Sequence, residues 1–220
     1  MNRTKIEWCD YTINPVKGLC PVACPYCYAR RMYKRFHWDE TIRLDINSFL
    51  PLLTTLHKPA KIFVGSTLEL FGPWVKPEWL NFIFARVKML PEDTFIFLTR
   101  EPQNLVKWSP FPENCWIGMT VTHNGIGCAS TGAIPCFEDI EAKIKFISFE
   151  PLLGPVDFKY YTDFVDWVII GAQTPFNITT APKREWIEAI IEAADRAKIP
   201  VFEKNNLTKL MGGGLRQEFP

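Results

Sequence analysis

Seven short apolar runs, separated by helical or turn-rich stretches, set the strongest limit on what this chain of 220 residues can fold into. They lie at residues 7–13, 61–67 (KIFVGST), 94–100 (TFIFLTR), 115–122 (CWIGMTVT), 144–150 (IKFISFE), 167–173 (WVIIGAQ) and 200–204 (PVFEK). Most are apolar at consecutive rather than alternate positions, the pattern of parallel strands covered on both faces. Residues 77–90 (PEWLNFIFARVKML) open with proline at a first helical position and stop before Pro91. Residues 184–198 carry a 3.6-residue period through Trp186, Ile187, Ile190, Ile191 and Ala194. Shorter helices are expected at residues 25–36, 48–56, 101–108 and 137–142.

Alternating strand and helix require crossover connections and a parallel sheet. A complete eightfold barrel takes about 250 residues. Six to seven strands in this length therefore predict an α/β fold, a compact or partial parallel (β/α) barrel, with an open doubly wound sheet as the alternative. No repeat, low-complexity tract or linker interrupts the chain, so a single domain over residues 1–220 is expected. Residues 151–163 read as a loop, and Gly212, Gly213 and Gly214 as a flexible end or a tight turn.

Hydrophobic residues make up 47% of the chain, enough for a sizeable core. The net charge of +1 argues against binding nucleic acid through the charge of the whole molecule. No run of 18 apolar residues predicts a membrane span, and residues 1–10 lack the apolar stretch of a secretory signal. Seven cysteines, three of them within eight residues, suit a reducing cytoplasm better than a disulfide framework.

Those three, Cys20, Cys24 and Cys27, stand in the run CPVACPYCYAR. Structural metal sites normally close a tetrahedron with four ligands, and [4Fe–4S] clusters are normally held by four thiolates. Three close thiolates would leave one iron open to a small-molecule ligand. The competing readings are a zinc knuckle with a remote fourth ligand, His37 or Cys9, and inert buried thiols. Arg30, Arg31, Lys34, Arg35 and His37 follow directly, either as a solvated helix face or as a phosphate-contacting patch. Cys128 and Cys136 flank a Gly/Ser/Thr-rich loop and read as unpaired structural cysteines. His37, His57 and His123 show no metal-triad spacing, and no phosphate-binding loop or dinucleotide glycine fingerprint occurs.

Catalytic groups of β/α barrels gather at the C-terminal ends of the strands. Here those ends turn polar: Gly65, Ser66 and Thr67, then Glu69; Thr99 and Arg100; Thr120 and Thr122; Ser148 and Glu150; Gly171 and Gln173; Glu203 and Lys204. Such polarity after apolar interiors points to a ligand over one mouth.

The spacing C-x3-C-x-aromatic-C resembles the signature of the radical S-adenosylmethionine (SAM) enzymes. The resemblance implies a [4Fe–4S] cluster on Cys20, Cys24 and Cys27 and SAM on the open iron. It further implies reductive cleavage to a 5′-deoxyadenosyl radical, and an electron donor such as flavodoxin or ferredoxin. Tyr26 takes the aromatic position that lies near the adenine in that family. Gly65 would admit the ligand closely, and Ser66, Thr67 and Thr120 would bond the SAM methionine or ribose. Glu150 would accept from ribose hydroxyls or the ammonium group. Arg100 and Lys204 would hold an anionic substrate, and Gln173 would offer a neutral donor and acceptor.

Nearly the whole chain is also similar to the phage-associated three-Cys-motif family of unknown function, through WCDYTINPVKG, IFVGSTLELF, WIGMTV, ISFEPLLGP and DWVIIG. That resemblance implies a radical-SAM-like barrel and a three-Cys-motif partner protein. The family's GGE after the sixth strand reads Gly171-Ala172-Gln173 here, an amide in place of an acid. The local run CPYCYA resembles that of the spore photoproduct lyases, which repair a DNA lesion by radical chemistry, and so raises a nucleic-acid substrate. The functional expectation is a radical SAM enzyme; the alternative is a non-catalytic zinc protein that binds nucleic acid.

Overall fold

The computed structural model describes residues 2–54, 58–124, 133–176 and 178–220; His57 and Cys128 lie outside them. In chain order the strands are β1 (Asn2–Arg3), β2 (Tyr11–Ile13), β3 (Val16–Lys17), β4 (Arg43–Leu44), β5 (Lys61–Val64), β6 (Thr94–Thr99), β7 (Cys115–Thr120), β8 (Ile144–Phe149), β9 (Trp167–Ile170) and β10 (Val201–Glu203). The helices are α1 (Tyr28–Phe36), α2 (Leu50–Thr54), α3 (Pro77–Lys88), α4 (Ala133–Glu138), α5 (Arg184–Ala197) and α6 (Thr208–Met211). The main sheet has the order β1-β2-β5-β6-β7-β8-β9-β10. After the antiparallel β1, seven strands follow in chain order and run parallel, the topology of a partial (β/α) barrel.

By contact the chain divides into two compact units. The first comprises Met1–Thr99, Trp108–Trp116 and Glu141–Lys143; the second comprises Arg100–Lys107, Ile117–Ile140 and Ile144–Pro220.

In the first unit, Pro77 starts α3 because its missing N–H would have no helical partner there. The helix buries Leu80, Ile83, Phe84 and Val87. Phe84 meets Phe97 of β6 at 5.5 Å and Phe111 at 5.8 Å between ring centroids, an aromatic core that fixes the helix on its sheet. β3 and β4 form a separate ribbon, with Val16 opposite Leu44.

In the second unit, β8, β9 and β10 are buried at every residue from Phe146 to Phe149, Trp167 to Ile170 and Val201 to Glu203. α5 buries the stripe Ile187, Ile190, Ala193 and Ala194. Gly118 in β7 makes room for Phe146, whose ring would stand 2.3 Å from a Cβ at that position. The three glycines at 212–214 all take positive φ (78°, 96° and 70°) and reverse the chain. The tail then runs antiparallel to β10 through a Phe202–Gln217 bridge, and Phe219 stacks on Trp167 at 5.5 Å. The glycine run is thus a turn that lets the tail cover the β10 edge.

Several expected elements shift. The run at 7–13 shortens to β2, because Cys9 N–H turns back to the Ile6 carbonyl (3.4 Å). The helix expected from residue 25 begins at Tyr28, after Cys27 in extended conformation. The helix expected at 101–108 resolves into two 3-10 turns, Pro102–Asn104 and Val106–Trp108. The helix expected at 137–142 lies earlier, at Ala133–Glu138.

Candidate active site

Each unit carries a polar cluster at the ends of its strands. In the first, Tyr33 of α1 ties down the approach to the cysteine loop: its hydroxyl accepts from Gly18 N–H at 2.8 Å. Gly18 takes φ 127° against Ile42, whose Cα would lie 2.6 Å from an added Cβ. Arg30 Nη2 donates to the Cys20 carbonyl at 2.6 Å, stapling α1 to the loop. Ala23 holds a left-handed φ of 52° between the first two thiols, a costly conformation that the surrounding contacts impose. Cys27 caps α1, its Sγ accepting from Arg30 N–H at 3.5 Å.

Glu69 is the link from this loop to the sheet. Its N–H donates to Cys20 Sγ at 3.5 Å, and its buried Oε1 accepts from Thr99 Oγ1 at 2.6 Å and from Phe71 N–H at 3.0 Å. Burial pushes the Cys20 thiol above its ordinary value. The amides of Glu69 and Val22 pull it back, while the Glu69 carboxylate and Cys24 push it up further. Beyond β5, Asn14 Oδ1 gathers Ser66 Oγ (3.2 Å), Thr67 N–H (3.2 Å) and Thr67 Oγ1 (3.1 Å). Tyr28 O–H donates to the Ser66 carbonyl at 2.7 Å. Gly65 enters this turn at φ 82°, where a Cβ would strike Leu70 Cδ1 at 2.5 Å.

The cysteines, Ser66 and Thr67 therefore share the strand-end region of one unit, with Tyr26 half-buried on the same loop. Asn14 was not singled out, and Glu69 was named only as a polar group beyond a strand end, with no role assigned. Their signals were the Asn-Pro pair at the end of β2 and an acid two residues beyond a polar strand end. Among the described residues no three His, Cys, Asp or Glu side chains are drawn together as a metal site. Cys9 is buried and His37 is exposed at the end of α1.

In the second unit, Lys204 Nζ is paired with Glu150 Oε1, and both side chains are largely buried. Gly171 is the cradle: a Cβ there would stand 3.0 Å from Lys204 Cδ and 3.3 Å from Glu150 Cγ. Asn206, which composition did not flag, clamps the following loop by accepting from Ala172 N–H (3.0 Å) and donating to its carbonyl (2.8 Å). Ser148 is fully buried, and its Oγ has no hydrogen-bond partner among the described residues. Thr120 is buried at the end of β7, Gln173 is half-buried beyond β9, and Arg100 is half-buried after β6. Cys115 is buried in β7, where desolvation holds its thiol far above the ordinary range, so it is inert packing.

Comparison with known proteins matches residues 3–209 to a family described as "Protein of unknown function (DUF5131)". The chain belongs to the DUF5131 family. Over 77 residues this DUF5131 chain is 36% identical to "Uncharacterized protein MJ0683" of Methanocaldococcus jannaschii, a match that covers 33% of the chain and 29% of that protein. In three dimensions it is similar to a spore photoproduct lyase complexed with a dinucleoside spore photoproduct, with a TM-score of 0.56 and 10% identity. That match covers 89% of this chain and 63% of the lyase, so the DUF5131 chain spans less than two thirds of either relative. The likeness bears on fold alone: a partial parallel (β/α) barrel.

Proposed function

We propose that this DUF5131 chain is a radical SAM enzyme in which Cys20, Cys24 and Cys27 hold a [4Fe–4S] cluster. The observation that carries the reading is the cysteine loop itself. Three half-buried thiols follow the first parallel strand of a radical-SAM-like fold; Arg30 and Glu69 brace Cys20, and the Arg30 amide meets Cys27 Sγ. Three soft thiolate donors on one short loop suit an iron–sulfur cluster chemically. Cys20, Cys24 and Cys27 would hold the cluster, which would supply the one-electron chemistry needed for reductive cleavage of SAM.

The protein's own groups do the positioning. Glu69 N–H orients Cys20 Sγ. Asn14 presets Ser66 and Thr67, the groups proposed to bond the SAM methionine or ribose, and Tyr26 is proposed to lie near the adenine. Thr120, in the second unit, is proposed as a hydrogen-bonding group for the same class of ligand. In the second unit, Glu150 fixes the Lys204 ammonium over Gly171. Glu150 is proposed to accept from ribose or ammonium groups, and Lys204 and Arg100 to hold an anionic substrate of the nucleotide or nucleic-acid class. Gln173 supplies a neutral contact. An electron donor such as flavodoxin or ferredoxin and a three-Cys-motif partner protein complete the proposal.

Anaerobic reconstitution with iron and sulfide tests the reading. The expected result is a reducible cluster and SAM-dependent 5′-deoxyadenosine, lost in Cys24→Ala. Protein that carries only zinc after anaerobic purification overturns it.

A further inference from the structure

α1 carries four cations, Arg30, Arg31, Lys34 and Arg35, and no acid. Arg31, Lys34 and Arg35 are exposed and fall at i, i+3 and i+4, so they share one helix face. An open groove of about 620 Å³ runs beside Arg31 and Lys34, with Leu19, Tyr33 and one acid, Glu40, in its lining and His37 and Trp38 at the helix end; Arg35 and Phe36 stand outside it. Two aromatic rings stand in water at that end: Phe36 is 52% exposed and Trp38 42% exposed. They stack on each other with centroids 5.5 Å apart and planes 22° from parallel, and Tyr33 braces Trp38 edge-on at 5.2 Å. Arg35 lies over the Phe36 ring at 5.4 Å. A stacked pair of exposed rings beside cations offers a flat aromatic face to a ligand.

We infer that the exposed face of α1 and the groove beside it bind a single-stranded nucleic acid, its phosphates on Arg31, Lys34 and Arg35 and a base stacked on the Phe36–Trp38 shelf. Cations beside stacking aromatics are the combination that single strands require, since every unpaired base offers a π-face. A duplex keeps its bases stacked on one another, so it would use the cations and leave the rings idle. An acidic protein would likewise satisfy the charge alone. The groove also abuts the cysteine loop: Leu19 precedes Cys20, and Arg30 lines the groove while holding the Cys20 carbonyl. What the bound strand is for rests on the radical-enzyme reading, with the strand as its substrate; the binding itself does not.

The test is fluorescence anisotropy with labelled 12-nucleotide single-stranded DNA and RNA, the matching DNA duplex and labelled polyglutamate. It is run on metal-free protein without SAM, so its outcome is independent of cluster chemistry. Three phosphate contacts predict single-strand affinity that falls roughly twentyfold between 50 and 200 mM salt. Lys34→Gln should lower the slope of the log–log salt plot by about 0.7. Trp38→Ala should weaken single-strand binding about tenfold and polyglutamate binding little. Phe36→Ala, at a more exposed position, gives the same readout should Trp38→Ala fail to fold. No binding at 50 mM salt overturns the inference, as does equal affinity for polyglutamate or indifference to both ring variants. Equal affinity for polyglutamate would mark the surface as a dock for an acidic protein. Loss of 5′-deoxyadenosine formation with strand binding intact would instead sink the radical-enzyme reading alone.

Discussion

The amide of Glu69 points at Cys20 Sγ from 3.5 Å, while the carboxylate of the same residue is fastened to Thr99 at 2.6 Å. One residue thus ties a thiol of the cysteine loop to the end of β6 and modulates an ionisation that burial chiefly disfavours. The amide favours the thiolate and the carboxylate disfavours it.

Glu69→Gln separates these effects, because it keeps the amide and removes the charge. Folding holds the Cys20 proton more tightly than the unfolded chain does. The associated stability is therefore complete below the ordinary thiol pKa and fades as the pH rises through the raised value. The variant should bring that value down. Alkylation of Cys20 in metal-free protein at pH 8, followed by peptide mass spectrometry, should accelerate severalfold; an unchanged or slower rate would contradict the assignment.

Lys204 and Glu150 form a pair shielded from water on either side of Gly171. Removing one partner strands the other's charge, so Lys204→Met should cost about 3 kcal/mol in urea unfolding. Adding Glu150→Gln should recover most of that loss. Additive costs in the double-mutant cycle would show that the two groups do not interact.

Gly118 faces the Phe146 ring, which leaves no room for a methyl group. Gly118→Ala should destabilise by about 1–3 kcal/mol through overpacking. Phe146→Leu in the same chain should relieve part of it, as read by the urea midpoint. A neutral Gly118→Ala would mean that β7 and β8 move apart freely.

Arg216 bridges Asp195 at 2.7 Å and Glu218 at 2.9 Å in the tail that covers β10. Its guanidinium, helped by Val201 N–H, holds the Glu218 carboxyl below the usual range against a small opposing effect of burial. A depressed carboxylate contributes stability above its unfolded pKa and loses it as the pH falls through the folded one. Arg216→Gln should lower the melting temperature by about 2 °C at pH 7, a small effect because these groups are partly solvated. The gap from the wild type should close as the pH falls below the usual carboxylate range; a gap that widens in acid would contradict the sign.

What the amino-acid sequence determined by itself was local and periodic. Both-face apolar runs marked β5 to β10 within three residues of their ends, because a strand buried on both sides leaves no alternation to misread. Proline at residue 77 and the 3.6-residue stripe of α5 placed the long helices. The cysteine spacing marked the loop, since three thiols in eight residues are near one another whatever the fold.

Tertiary structure alone decided which distant polar groups meet. Nothing local to Asn14 shows that its side chain collects Ser66 and Thr67, 52 and 53 residues away. Nor does the stretch around Glu69 announce its hold on Thr99, or Gly171 that its missing side chain seats Lys204 beside Glu150. The short helix expected at 101–108 tightened into 3-10 turns, and the glycine run at 212–214 became a reversal that seals an edge strand. Hydrophobic pattern is written in near neighbours and survives in one dimension. Hydrogen-bond partnership across a parallel sheet is set by register and crossover, which exist only once the chain has folded.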